Sequence, residues 1–539
     1  MTAEVQPSSL APQPTKVVEA GRSEPDGPAG NRRLSRFGSR SAMLLTVLPV
    51  GLVLALATVL RFWKLDRVGF NSDEAVYSGT AAAIAGNDVM RGLFPIFRAH
   101  PLFLQILLSF GMHGGISDWS ARAVTAGIGV LAVGLTYLLG RRLYGHRAGL
   151  IAALLLAVMP YHVIVSRQVL LDGLMTLCTT LVLYCVVRYV ESGALSWMLA
   201  SSAVMGGAVL AKETSIVMVA ALYAFFALTP AVRVRLRHIG AGLLTLVLVV
   251  LAFPLALSVS GRASSGQHYL LWQLFRRSNH TADFYARVVP PAVGWATLAI
   301  ALISLVLLRK ENTWRERLLL TWIVVPVLFF TLWPVKGYQY LLPGAPALVL
   351  LAGRGLAQLP DIGWLRQRRL GPLALALTTL AVTVSLLVPT WQRIEPSNTG
   401  TYLAGTGGLP GGREAGRWVR ANIPEHAELL AVGPSMANVI QFYGQRRVFA
   451  MSVSPDPANR NPAYVPVPNP DLAVRQGRFR YLIWDSYTAN RSPLFAAKIA
   501  ALANKYNGVL VFSSTITVRS PDGQPVQTPV VKIYRVRPS

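Results

Sequence analysis

Acidic residues are scarce in this chain: 24 Asp and Glu stand against 51 Lys and Arg in 539 residues, a formal net charge of +27. Such a surplus would suit a nucleic-acid partner if it lay on one face of a soluble domain. Here the Arg residues fall in short clusters between apolar runs, so nucleic acid is excluded and membrane orientation is the better explanation. Charge of either sign is sparse as well, at 14% against 53% hydrophobic, which excludes an ordinary soluble globule. Only two cysteines occur, Cys178 and Cys185. On one helix they stand roughly 10 Å apart, beyond disulfide reach, so they are packing residues. Absent too are a Walker-type Gly-rich loop, G-x-G-x-x-G, H-E-x-x-H and a D-x-D pair of the sort that holds a metal-bound nucleotide sugar, and nucleotide chemistry is not expected. No internal repeat is visible, which argues against an inverted-repeat transporter.

What the chain has is apolar runs of membrane-crossing length, recurring from Met43 to Trp391 and then stopping. Candidate spans are 43–62, 120–140, 148–165, 170–188, 195–211, 214–230, 239–258, 291–308, 318–334, 338–353 and 371–391, about eleven in all. Loops on the side of the N-terminus carry Arg141, Arg142, Arg147, Arg233, Arg235, Arg237, Arg309 and Lys310 among others, which marks that side as cytoplasmic. An odd number of spans puts the C-terminal region outside. Residues 1–42, rich in Pro, Ser, Gly and Arg, read as a disordered cytoplasmic tail ahead of an uncleaved anchor. Residues 43–392 form the transmembrane part, with 63–119 as its first outer loop. From 413 to 539 the pattern changes to an amphipathic helix and the strand-like runs "FRYLIWDS", "GVLVFSSTITVR" and "PVVKIYRVR", a small extracytoplasmic α/β domain. The expected fold is therefore a multi-span α-helical membrane protein with a small α/β domain outside.

The scarce acids and the outward-facing bases mark the candidate site. In "NSDEAVY", Asn71 or Ser72 can cap a helix whose first turn holds Asp73 and Glu74, where carboxylates complement the helix dipole. Alternatively Asp73 and Tyr77, four residues apart, share a face from which Asp73 takes a proton from an acceptor hydroxyl. "SRQVLLDGLM" sets Arg167 and Asp172 at an outward turn, either as an ion pair closing it or as part of a site. "AKETS" puts Lys212 beside Glu213, where the two can neutralise each other. "WPVKGYQYLLPGAP" sets Lys336, Tyr338 and Tyr340 at the mouth of a span, as interfacial anchors or as site residues. Asp73, Glu74, His100, Arg167, Asp172, Lys212 and Lys336 all fall on the outer face under one topology drawn from other residues. Cations near carboxylates at head-group depth suit a phosphate-bearing lipid and a proton acceptor.

These residues, in this order, resemble a known family. A first outer loop with Asp73 and Glu74, then His100-Pro101 before apolar residues, then Ser166 to Met175, then Lys336 and Tyr340 around "LPGAPALVLLAGRG" is similar to the GT-C glycosyltransferases of the family 39 and 83 type. These include protein O-mannosyltransferases and the lipid A aminoarabinose transferase. The resemblance covers residues 43–369. It implies a GT-C membrane fold and transfer of one sugar, with inversion, from a polyprenyl-phosphate donor to an envelope glycan, lipid or protein acceptor on the outer face of the cell membrane. It implies Asp73 as general base, and Glu74 as a neighbour that helps hold the acceptor or a divalent metal. It further implies Arg167 with Asp172 near the lipid phosphate and Lys336 with Tyr340 at the donor cavity, with Tyr77, His100 and Lys212 as further candidates. The alternative is a transporter or flippase of lipid-linked sugars, which shares the span count and the basic head-group level.

Overall fold

The computed structural model describes residues 31–537 apart from 98–99, 113–114, 262–271, 274, 276–277, 312, 396–407, 453–455, 457–459, 462–463 and 520–521. The tail expected at 1–42 thus lies outside the described residues up to position 30. Two compact units are present, Met1–Pro49 and Val50–Ser539, and in the first the described backbone is helical from Asn31.

In the second unit, helix α1 (Ser72–Ile84) follows the apolar helix that ends at Phe62, and a short apolar helix at Phe103–Phe110 follows α1. Among the described residues five helices are long and apolar enough to cross a membrane: α2 (Asp118–Tyr144), α3 (Leu171–Ser192), Leu236–Val259, Tyr338–Asp361 and Gly371–Ile394. At 1.5 Å per residue even the 22-residue α3 reaches about 33 Å, enough for the hydrocarbon layer. Two bent pairs, His146–Val158 with Pro160–Ser166 and Phe284–Val293 with Trp295–Leu307, raise the number to seven. The molecule is a multi-pass membrane protein. The remaining expected spans coincide with shorter or more charged helices, Val47–Phe62, Leu195–Ala211, Glu213–Ala227 and Trp314–Leu332.

The 60° bend at Pro160 has a specific remedy. Proline brings no N–H to the carbonyl four residues earlier, so the preceding turn is left with free acceptors. The fully buried Arg61 supplies donors, Nη1 to the Ala157 carbonyl at 3.0 Å and Nη2 to Leu156 at 3.3 Å, and Thr390 gives its hydroxyl to Val158 at 2.7 Å. The bend is thereby locked into the bundle.

Beyond residue 407 the chain forms an α/β region. Helices α4 (Gly412–Asn422) and α5 (Pro434–Gly444) accompany a five-stranded sheet of order β2-β1-β3-β5-β4. The strands are β1 (Glu428–Ala431), β2 (Val448–Ala450), β3 (Phe479–Asp485), β4 (Val509–Arg519) and β5 (Pro525–Arg535). β1 runs parallel to both β2 and β3, β5 pairs antiparallel with β3, and β4 pairs antiparallel with β5 in a long hairpin at the sheet edge. Parallel strands covered on both faces carry continuous apolar residues, and Leu429, Leu430 and Ala431 are fully buried.

This region is not packed on its own. Phe70 and Ala75 before and within α1, Leu104 from the Phe103–Phe110 helix, Val419 of α4, Leu429 of β1 and Ile440 of α5 belong to one buried apolar cluster. Backbone joins them too, the Leu409 amide donating to the Phe70 carbonyl at 3.2 Å. In α1, Gly79 lies so close to the Phe94 ring that a Cβ would stand 2.5 Å from it, so the small residue permits the contact.

Candidate active site

The start of α1 is held from four directions. Asn71, not Ser72, is the cap: its Oδ1 accepts from the Asp73 and Glu74 amides at 2.9 and 3.0 Å, and the Glu74 carboxylate accepts in return from the Asn71 amide. Glu74 is fully buried and also accepts from Arg122 Nε and Nη2, both at 2.7 Å, and from the Val169 amide at 3.1 Å. Arg122 in turn donates to the carbonyls of Leu65, Val68 and Gly69, the strip leading into α1. Asn71 Nδ2 donates to Gln168 at 3.0 Å. Glu74 does not line the cavity that Asp73 lines, and its oxygens are engaged in fixing the helix. Its neighbour Asp73, about 100° further round the helix, is exposed and lines a cavity.

That cavity, of about 460 Å³, brings together Asp73, Tyr77, His100, Asp172, Lys212 and Tyr340, six of the nine candidates. Glu213, Trp272, Trp333, Gln339 and Asn461 share its wall. Asp73 lies within electrostatic reach of both His100 and Asp172. Lys212 donates to Asp172 Oδ1 at 2.7 Å and sits 4.2 Å from the centre of the Tyr340 ring. Extended backbone at Lys212, φ −157° and ψ 124°, sends adjacent side chains apart, so Lys212 and Glu213 each take a separate hydrogen-bonded ion partner. Glu213 instead meets His100 Nδ1 at 3.0 Å. Burial disfavours the His100 imidazolium, but the Glu213 carboxylate more than offsets it and holds the ring's pKa above the ordinary histidine value.

Three candidates stand elsewhere. Arg167 makes no pair with Asp172; its guanidinium caps the helix ending at Phe62, donating to the carbonyls of Leu60, Arg61 and Trp63 at 2.8 to 3.1 Å. Those last-turn carbonyls have no donors within their own helix, which is why they capture a nearby arginine. Lys336 is likewise turned back, its Nζ donating to the Trp333 carbonyl at 2.9 Å while its backbone pairs with the Asn279 side chain. Among the described residues the charged groups lining the cavity are Asp73, Asp172, Glu213, His100 and Lys212. Among the described residues no group of three or more His, Cys, Asp or Glu is placed to hold a metal ion.

Residues 99–257 match the family model for dolichyl-phosphate-mannose-protein mannosyltransferases. A putative mannosyltransferase of Bacillus subtilis, YycA, is 34% identical over 172 residues, 32% of this chain. The chain spans only 25% of that relative's length. The solved structure of ArnT from Cupriavidus metallidurans in the apo state superposes with a TM-score of 0.67 at 16% identity, over 92% of this chain and 98% of that one. The fold is of the GT-C type. The same ArnT bound to undecaprenyl phosphate gives a TM-score of 0.64 at 17% identity, covering 90% of this chain and 97% of that one. The similarity drawn from the sequence is thus found again in the three-dimensional fold, and the 92% of the chain that is matched takes in most of the α/β region.

Two residues of the arrangement escape a sequence reading. Arg122 sits in the first turns of a helix, where a cation opposes the dipole, and that misplaced charge is the signal for a buried partner. Glu213 as the partner of His100 has no local signal, since the two are 113 positions apart.

Proposed function

We propose that this chain is a membrane glycosyltransferase that moves one sugar from a polyprenyl-phosphate donor to an acceptor outside the membrane, with inversion and with Asp73 as general base. In this reading eleven helices cross the membrane, the N-terminus is cytoplasmic, and the cavity opens at the outer surface beneath the α/β region. The observation that carries it is the convergence of Asp73, His100, Asp172, Lys212 and Tyr340 from separate segments onto one cavity, with Asp73 the exposed carboxylate. ArnT of Cupriavidus metallidurans, whose fold this chain shares, binds undecaprenyl phosphate, and a lipid phosphate is the donor group assigned here.

In the proposed step Asp73 takes the proton of the acceptor hydroxyl as its oxygen attacks the anomeric carbon from the face opposite the phosphate. The bond from that carbon to the phosphate oxygen breaks, and its electron pair leaves on the polyprenyl phosphate. Lys212, which spends one of its three N–H donors on Asp172, offers the others to that developing charge. Lys212 thus takes the role that the sequence resemblance gave to Arg167 and Lys336. Glu213, 3.0 Å from His100 Nδ1, favours the protonated form of the ring beside the site.

Purified protein in nanodiscs, given a synthetic polyprenyl-phosphate sugar and envelope acceptors, is expected to yield glycosylated product. Asp73→Asn is expected to lower turnover by about 10²–10⁴-fold while donor binding persists. Movement of lipid without product would favour transport instead, and full turnover by the variant would remove Asp73 from the chemistry.

A further inference from the structure

A second cavity, of about 570 Å³, lies apart from the first, between the N-terminus of α2 and helix α4. Its wall includes Asp118 and Trp119 of α2 and Arg413, Arg417 and Arg420 of α4. The three arginines follow an i, i+4, i+7 spacing, so they form one stripe along the helix. Arg413 is committed: it donates to the Asp66 and Arg67 carbonyls, both at 2.8 Å, and meets Asp118 Oδ2 at 3.3 Å. Asp118 is satisfied further by the Tyr443 hydroxyl at 2.8 Å. Arg417 and Arg420 are exposed and have no ion-pair partner among the described residues. The one other acid lining the cavity is Asp66, so with Asp118 matched by Arg413 the cavity keeps a net positive charge.

The level of this cavity identifies its occupant. It opens where α2, a membrane-crossing helix, begins, and there Trp119 is 51% exposed and packs on Phe62, ring centroids 6.5 Å apart. An exposed tryptophan at the end of a span marks the depth of lipid head groups. Guanidinium groups at that depth match a phosphate diester by charge and by their paired donors. We propose that this cavity binds the head group of an anionic glycerophospholipid of the surrounding leaflet, through Arg417 and Arg420. The lipid would moor α4, and with it the α/β region, to the bilayer beside the strip that Arg413 and Arg122 hold in front of α1.

The test needs no turnover, so it stands apart from the proposed transfer reaction. Delipidated full-length protein in detergent is titrated with dioctanoyl-phosphatidylglycerol, dioctanoyl-phosphatidylcholine and inorganic phosphate, and binding is read by native mass spectrometry. Phosphatidylglycerol is expected to bind at least tenfold more tightly than phosphatidylcholine. The double variant Arg417→Gln with Arg420→Gln is expected to lose that preference, and Arg417→Lys with Arg420→Lys to retain most of it. Both side chains are exposed, and an unchanged melting temperature verifies that the variants fold. Equal binding of the two lipids, or an undiminished preference in the Gln variant, would overturn the proposal. Inorganic phosphate displacing the anionic lipid at comparable concentration would overturn the lipid assignment in favour of a free-phosphate site.

Discussion

Replacing Glu74 by Gln separates the structural role found for this residue from a catalytic one. In the native arrangement its two oxygens accept four N–H groups, from Arg122 Nε and Nη2, Asn71 and Val169. Gln conserves shape but turns one oxygen into an amide that points its own protons at donors, and it removes the charge opposite a nearly fully buried guanidinium. Two charge-assisted hydrogen bonds, about 1.5–3 kcal/mol each, are weakened or lost, and the buried Arg122 loses the counter-charge that it is hydrogen-bonded to. The expected destabilisation is about 3–5 kcal/mol, the range for breaking one side of a buried ion pair. The three carbonyls that Arg122 also engages soften the loss, so the lower part of that range is expected for Gln. Thermal unfolding in a fixed detergent, with donor turnover measured on the same samples, reads both consequences. Glu74→Gln and Arg122→Gln should each lower the melting temperature, and the double variant should cost less than the sum of the singles. Unchanged stability in Glu74→Gln together with lost turnover would refute the argument and return Glu74 to the reacting groups.

Lys212→Met leaves Asp172 without its cation and removes the cavity's ammonium group, so the KM for a polyprenyl-phosphate donor is expected to rise at least tenfold in steady-state assays, with Lys212→Arg recovering part of it. His100 has its pKa raised by Glu213, so its contribution to stability is fully present below about pH 6.5 and is lost as pH rises through the higher folded-state value. Melting temperature should therefore decline across that window in the native chain, and the decline should be smaller in His100→Gln. Asp485, buried at the end of β3, has its carboxyl pushed up to about 6 by burial, in spite of accepting from the Thr488 amide at 2.7 Å. Raising pH from about 4 through 6 then costs stability, and Asp485→Asn, which keeps a cap oxygen, should melt higher than the native chain at pH 8 and lose that advantage below pH 5. Gly79→Ala drives a methyl into the Phe94 ring and should destabilise by about 1–3 kcal/mol, visible as a lower melting temperature.

Much of the fold was legible because hydrophobic length is a local property. The apolar runs appear as helices, and Asp73, His100, Asp172, Lys212 and Tyr340, which the sequence reading put at one level, meet at one cavity. Depth in a membrane can be counted along a chain, and depth was enough to gather them. Direction could not be counted. Arg167, Lys336 and Glu74 do not line that cavity, because unsatisfied helix-end carbonyls and a buried guanidinium engage them. Which base meets which acid depends on backbone angles at single residues, such as the extended Lys212 that gives its charge to Asp172 and lets Glu213 go to His100.

The apolar cluster that joins Phe70, Ala75 and Leu104 to Val419, Leu429 and Ile440 also sets a timetable for biogenesis. Synthesis proceeds at about 5–20 residues per second, so the segment around α1 emerges roughly a quarter of a minute to a minute before the chain that will cover it has been made. Throughout that interval the part of its apolar side that Val419, Leu429 and Ile440 cover has no permanent neighbour, and truncation ahead of α4 leaves the nascent product with that face unsealed. Chaperones and quality-control proteases would meet this protein chiefly there, and a slow-codon stretch or a stalled ribosome ahead of α4 would lengthen the exposure.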